Sequence, residues 1–188
     1  MMPIFGEALK TLQASLQDPK VEAQVVEIAA LLKKTLAAGN KILLCGNGGS
    51  AAEAQHIAAE FVGRFQKERK GLPAISLTTD TSILTSVAND YSYETIFARQ
   101  VEALGQKGDV LILLTTSGNS KNCLAACRRA KEQGLKAVAM TGSKGGAIKE
   151  LADICLRVPS DVTAHIQEVH LVVLHAVCAI VDENYPSR

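Results

Sequence analysis

Apolar residues fall at helical spacing near the start of the chain and in short unbroken runs after it. Val21, Val25, Ile28, Leu32 and Leu36 form one helical stripe, and Gly39 can end that helix. The stretch before Pro19 predicts another helix, docked on the body or swapped onto a neighbour. The pattern then changes. Lys41-Ile42-Leu43-Leu44-Cys45 is a short apolar run ending in Gly46-Asn47-Gly48-Gly49-Ser50. Similar runs recur over 74–77, 110–114, 137–140 and 154–158. Helical patterns lie between them over 51–64, 82–88, 93–104, 119–133 and 147–151. Short strands alternating with helices predict an α/β fold, a parallel sheet with helices on both faces in three layers. Unbroken apolar runs fit strands buried on both sides.

A last helix is predicted over 161–183. Ile166, Val169, Leu171, Val172, Val173, Leu174, Val177, Ile180 and Val181 cover more than one stripe of it. A helix apolar on most sides is buried on most sides, which predicts an oligomer whose interface includes this helix. No unbroken apolar run reaches the roughly 18 residues of a membrane span, and MMPIFGEALK has no signal-peptide apolar region.

Composition narrows the function classes. The 188 residues suit one domain. Trp is absent and aromatics are 4%, so the core is aliphatic and base stacking on aromatics is disfavoured. The net charge of +1 supplies no global field for nucleic acid or an anionic membrane. The odd count of five cysteines, without disulfide-like clustering, fits reduced thiols. The expectation is a cytoplasmic protein whose anion sites are local.

Two strand-to-helix turns offer such sites. In a parallel α/β sheet, ligands bind beyond the C-terminal ends of the strands. Gly46-Asn47-Gly48-Gly49-Ser50 lets backbone N–H groups approach a ligand, and a helix start favours an anion. It is neither a dinucleotide GxGxxG nor a Walker loop, and a tight turn without a ligand would look the same. Thr115-Thr116-Ser117-Gly118-Asn119-Ser120 carries four hydroxyls. One would suffice to cap a helix, so four favour a phosphate site.

Titratable residues cluster twice. His56 and Glu60 share a helix face, as metal ligands, acid/base groups or a surface pair. His165, Gln167, Glu168, His170 and His175 bring polar groups into the apolar terminal helix. Buried polar groups need partners. Gln167 and His175 are separated by about 12 Å of helix rise. They share one metal only if both side chains bend inward. Otherwise they come from different protomers, or one is not a ligand. Asn89-Asp90 is either a sugar-hydroxyl site or a turn.

Together these residues resemble the sugar isomerase (SIS) domain family, and within it the phosphoheptose isomerases. The landmarks are CGNGGSAAEAQHIAAEFVGRF, LTTDTSILTSVANDY, GDVLILLTTSGNS and PSDVTAHIQEVHLVVLH, spread over nearly the whole chain. The resemblance implies one SIS domain over 1–188 with a five-stranded parallel sheet. It implies a homotetramer with active sites at subunit interfaces and the helices of about 1–38 packing there. It implies conversion of sedoheptulose 7-phosphate to D-glycero-D-manno-heptose 7-phosphate, toward lipopolysaccharide heptose. Carried over by position, Asn47, Gly48, Gly49, Glu60, Asn89, Asp90, Thr115, Thr116, Ser117, Ser120 and Gln167 contact substrate. Glu60 and His175 match the catalytic acid/base pair. His56, Glu60, Gln167 and His175 match the ligands of one zinc per subunit. Thr115 stands where Ser is common, keeping the hydroxyl, and His165 stands where an Arg often precedes Ile-Gln-Glu.

Other readings remain open on the residues alone. One is a non-catalytic SIS binding protein of the type that associates with a replication initiator. That type lacks the glutamate matching Glu60. Another is an isomerase of a different sugar phosphate.

Overall fold

Proline and glycine set the first boundaries. Pro19 opens α2 (Pro19–Ala37) where no backbone N–H is needed, and Asp18 caps it by accepting the Lys20 N–H at 2.9 Å. Gly39, at φ 81°, turns the chain out of that helix. The helix predicted before Pro19 is α1 (Pro3–Leu16). The computed structural model describes residues 2–186.

The strands are β1 (Ile42–Gly46), β2 (Ala74–Ser76), β3 (Val110–Leu114), β4 (Lys136–Thr141) and β5 (Ile154–Arg157). Between them run α3 (Gly49–Val62), α4 (Thr81–Asp90), α5 (Ile96–Leu104) and α6 (Lys121–Glu132), and α7 (Thr163–Asp182) follows β5. The sheet is parallel throughout, in the order β2-β1-β3-β4-β5. Two predicted helices are shorter than the pattern implied. The stretch over 147–151 forms only a 3₁₀ turn (Ala147–Glu150), entered through Gly146 at φ 56°. The stretch from Tyr93 begins as a 3₁₀ turn (Tyr93–Thr95) before α5.

Side chains alternate across the sheet, as the pleat requires. Ile42, Leu44, Ile112, Leu114 and Met140 join a core with α2, α3 and α7, and Leu43, Cys45, Leu111, Leu113 and Ala139 join a second core with α5 and α6. Every residue of β1 and β3 is buried. Each buried Leu or Ile contributes roughly 1.5–3 kcal/mol, so these two strands hold their C-terminal ends firmly.

Those ends flank a reversal in the winding. The chain steps from β1 outward to β2, then crosses back to β3 on the other side of β1. Accordingly α3 leaves β1 toward one core and α6 leaves β3 toward the other. Diverging connections open a crevice at this switch point.

The helix α7 is long and apolar enough to cross a membrane by length and composition, with a mean hydropathy of 1.6. Half of that window is buried within the fold, against α1, α2 and α3. Polar residues on it have partners: Gln167 and His175 meet α3, His170 meets the Thr141 carbonyl of β4, and His165 meets Glu168 of the same helix. These contacts describe the core helix of an α/β domain. The chain itself therefore covers much of the apolar surface that the sequence assigned to an oligomer interface. Val172 stays exposed.

Candidate active site

The two turns identified in the sequence face each other across the crevice. Gly48 stands at φ 56°, a left-handed value that a side chain would resist, and α3 begins at the next residue with no side-chain cap bond. Across from it α6 begins after Ser120, again with no side-chain cap bond among the described residues. The Ser50, Ala51 and Cys123 N–H groups are already bonded, but those of Gly49 at the start of α3 and of Lys121 and Asn122 at the start of α6 have no partner among the described residues and stay available to an anion. Capping therefore does not explain the hydroxyls of the second turn. Thr115, almost fully buried, donates from Oγ1 to Ser120 Oγ at 3.1 Å. Asn119 does the work of the turn itself: its N–H donates to Ser117 Oγ, and its Oδ1 accepts the Ala147 N–H.

A cavity of about 330 Å³ lies between the turns. Asn47, Gly48, Gly49, Thr115, Thr116, Ser120 and Gln167 line it, together with Ser50 and Thr163, which the sequence reading did not single out. Ser117 opens instead onto a neighbouring cavity of about 240 Å³ that holds Lys144 and shares Thr116 and Thr163. Gln167 Nε2 donates to Ser50 Oγ at 3.2 Å. A Cβ on Gly49 would lie 2.7 Å from that amide, so a side chain here would push the Gln167 amide out of this position.

The helices α3 and α7 both return from parallel strands, so they run in the same direction and their contacts proceed in step. Gly49 and Ser50 meet Gln167 at their starts. Further along, His56 and Glu60 meet His175. His56 Nε2 is 2.8 Å from His175 Nε2 and 3.4 Å from Glu60 Oε1. One ligand atom from each residue falls within 4.8 Å of the others. The Phe65 ring stacks on His175, with centroids 5.5 Å apart. At the end of α7, Asp182 pairs with Arg69 at 2.5 Å, both side chains 2% exposed. Arg69 also donates to the carbonyls of Glu60 and Phe61. This buried pair pins the end of α3 to α7 and thereby sets Glu60 beside His175.

Two imidazoles and a carboxylate are a donor set that suits zinc, and two ring nitrogens facing each other at contact distance fit a shared cation. The fourth expected ligand, Gln167, is placed at the other end of the α3–α7 seam in this chain.

The SIS domain family model matches residues 5–142. The phosphoheptose isomerase of Burkholderia pseudomallei is 54% identical over 180 residues, covering 96% of this chain and 91% of the relative. That of Roseiflexus is 59% identical over 160 residues, covering 85% and 81%. The solved phosphoheptose isomerase structure from Neisseria gonorrhoeae superposes with a TM-score of 0.89 at 42% identity, covering 95% of each chain. The chain belongs to the phosphoheptose isomerase family of SIS-domain proteins. The full-length matches matter for α7, because Gln167 and His175 lie beyond the region matched by the domain model.

Two site residues expected in this family sit apart from the cavity. Asn89 and Asp90 end α4 on the surface, with Asn89 Nδ2 donating to Asp90 Oδ1, and neither lines the cavity. Tyr93, three residues beyond Asp90, bonds a residue of the cavity wall, donating from its hydroxyl to Asn47 Oδ1 at 3.0 Å. His165 is buried beside Glu168, with Nδ1 and Oε2 3.1 Å apart. His170 is the buried core histidine of α7, its Nε2 3.3 Å from the Thr141 carbonyl, and burial pushes it down to about 4.

Sequence reasoning passed over Glu53. It shares the α3 face of His56 and Glu60, at helical spacing. Burial pushes its carboxyl up to about 7, a bond from Ser50 opposing, and its Oε2 has no partner among the described residues. The available signal was a carboxylate inside a small, apolar helical segment.

Proposed function

We propose that the chain interconverts sedoheptulose 7-phosphate and D-glycero-D-manno-heptose 7-phosphate by proton transfer through an enediolate. The observation that carries this reading is Glu60 held beside His175, in a chain more than half identical to phosphoheptose isomerases.

The chemistry can be assigned residue by residue. The phosphate is held by Thr115, Thr116, Ser117, Ser120 and the open N-terminus of α6, with Asn47, Gly48, Gly49 and Gln167 on the opposite wall. Asn89 and Asp90 are assigned to substrate by family position. Glu60 takes the proton from C1 of the ketose, leaving an enediolate, and returns it to C2. His175 moves the oxygen proton from O1 to O2 and assists ring opening. Hydrogen-bond donors around the oxygens stabilise the negative charge that develops. His56, Glu60 and His175 would hold one zinc per subunit, which when bound supplies polarisation of the carbonyl oxygen.

Gln167 and His175 are about 12 Å apart along α7. That separation supports a site completed by a second copy, with Gln167 as a zinc ligand from a neighbour. Exposed Phe5, Leu9 and Leu16 on α1 support assembly through the N-terminal helices, in a homotetramer. A place in the cytoplasm, supplying heptose for lipopolysaccharide, follows from the same reading.

The deciding experiment incubates purified protein with sedoheptulose 7-phosphate and follows the aldose by NMR. Formation of the heptose aldose is expected. Absence of product from folded, zinc-loaded protein would remove the isomerase assignment, and faster turnover of a pentose or hexose phosphate would move it to another substrate.

A further inference from the structure

Three loops around the crevice converge on one side chain, Asn47. Asn122, in the first turn of α6, is 3% exposed. Its Oδ1 accepts the backbone N–H of Cys123 at 2.9 Å, which fixes the end of its amide that carries oxygen. The remaining bonds follow from that orientation. Asn47 Nδ2 donates to Asn122 Oδ1 at 2.9 Å, and Asn122 Nδ2 donates back to Asn47 Oδ1 at 2.8 Å. The Tyr93 hydroxyl also donates to Asn47 Oδ1. The second N–H of Asn47 points at the Cys123 sulfur, 4.0 Å away.

The Asn47 amide is thus engaged by the protein itself. Its partners sit on the two other loops: Asn122 two residues beyond Ser120, and Tyr93 three residues beyond Asp90. A reciprocal amide pair with one partner buried is stiffer than one exposed bond. The Lys121–Glu94 ion pair joins the same segments at 2.7 Å, but exposed pairs of long side chains fix little.

We propose that Asn122, aided by Tyr93, is a positioning residue. Acting through Asn47, it locks the glycine turn against the hydroxyl turn across the switch point. It thereby sets the spacing between the phosphate grip and the opposite wall of the site. This rests on the reading of both turns as one sugar-phosphate site. Small misplacements of a reacting group cost large factors in rate, so this lock acts on catalysis more than on phosphate binding. Local satisfaction of the helix start would need only the Oδ1 acceptor. The donation back to Asn47 has no such use.

The test compares Asn122→Ala, Asn122→Asp and Tyr93→Phe, with Asn122→Ala also placed in an Asn47→Ala background. Four quantities are measured: kcat and KM with sedoheptulose 7-phosphate, its Kd by calorimetry, and the Kd of inorganic phosphate. Asn122→Ala is expected to lower kcat/KM on the order of tenfold. Its phosphate Kd stays within about twofold, the scatter of independent sites. Asn122→Asp keeps the acceptor and loses the donor, so it falls between, and it carries the test if the alanine variant folds poorly. Tyr93→Phe, at the surface, gives the smallest loss. In the Asn47→Ala background, Asn122→Ala adds nothing further.

Equal losses for sugar phosphate and inorganic phosphate would overturn the proposal, as would an unchanged kcat/KM or a full effect of Asn122→Ala without Asn47. Wild-type protein that binds the sugar phosphate without converting it counts against the isomerase reading alone. The ratio of the two affinities still decides the positioning role.

Discussion

At the switch point the site is made of backbone and neutral hydroxyls, while at the far end of the α3–α7 seam it is made of titratable side chains. The first region takes its donors from two open helix starts and from Thr115, which is almost wholly buried. None of these groups changes charge near neutral pH. The second region brings ligand atoms of His56, Glu60 and His175 within 4.8 Å of one another, with the His56 side chain 47% exposed. It depends on two helices being held at one spacing by the buried Arg69–Asp182 pair. The contrast separates binding from chemistry. A phosphate grip is a local property of a turn and a helix start. An acid/base pair exists only where two helices meet.

Removing the carboxylate should break the comparison most. Glu60→Gln is expected to lower kcat by about 10²- to 10⁴-fold, while the Kd of inorganic phosphate stays at the wild-type value. Near-normal turnover in a folded protein would take Glu60 out of the chemistry. Asp182→Ala comes next. It strands a buried guanidinium, for an expected loss of about 3–5 kcal/mol in urea unfolding. Turnover should fall with it, because Arg69 also holds the Glu60 carbonyl.

Acid acts from beneath the first region. His170 meets the Thr141 carbonyl on the strand end that bonds Thr115 and Thr116, and burial holds it neutral, down to about 4 from 6.5. The unfolded chain binds that proton first, so stability falls as pH drops from about 6.5 to about 4. The expected total is about 3 kcal/mol. Urea midpoints across this window test it, and His170→Gln should flatten the slope. Glu53 has the opposite sign. Its raised carboxyl favours folding at low pH, and that contribution fades as pH rises toward about 7. Glu53→Gln should therefore stabilise the chain at neutral pH and leave it unchanged at pH 4.

The smallest expected effect sharpens the boundary between the regions. If Gln167 serves the phosphate cavity of its own chain, Gln167→Ala raises KM roughly tenfold and leaves zinc content by mass spectrometry unchanged. Loss of zinc would instead assign it as a ligand to a neighbouring copy's cluster. His56→Ala serves as the control that loses the metal.

Much of this was legible before the fold. The strand runs, the glycine turn and the hydroxyl turn stood where the structure has them, because period and turn chemistry act over a few residues. The helix pattern over 147–151 misled, since a short apolar stretch does not distinguish a single 3₁₀ turn from a helix. His56 and Glu60 were paired correctly on one helix. Glu53 was passed over because desolvation depends on what packs around a carboxylate.

By itself, the sequence determined a parallel α/β chain with two anion-ready turns and polar residues in an apolar last helix. Tertiary structure alone decided the rest. It brought His175 to Glu60, sent Gln167 to Gly49 and Ser50, and joined Asn47 to Asn122 and Tyr93. The reason is reach. Backbone sterics and side-chain period are set within a turn or two of chain. These contacts join residues dozens of positions apart, and only the winding order β2-β1-β3-β4-β5 brings them together.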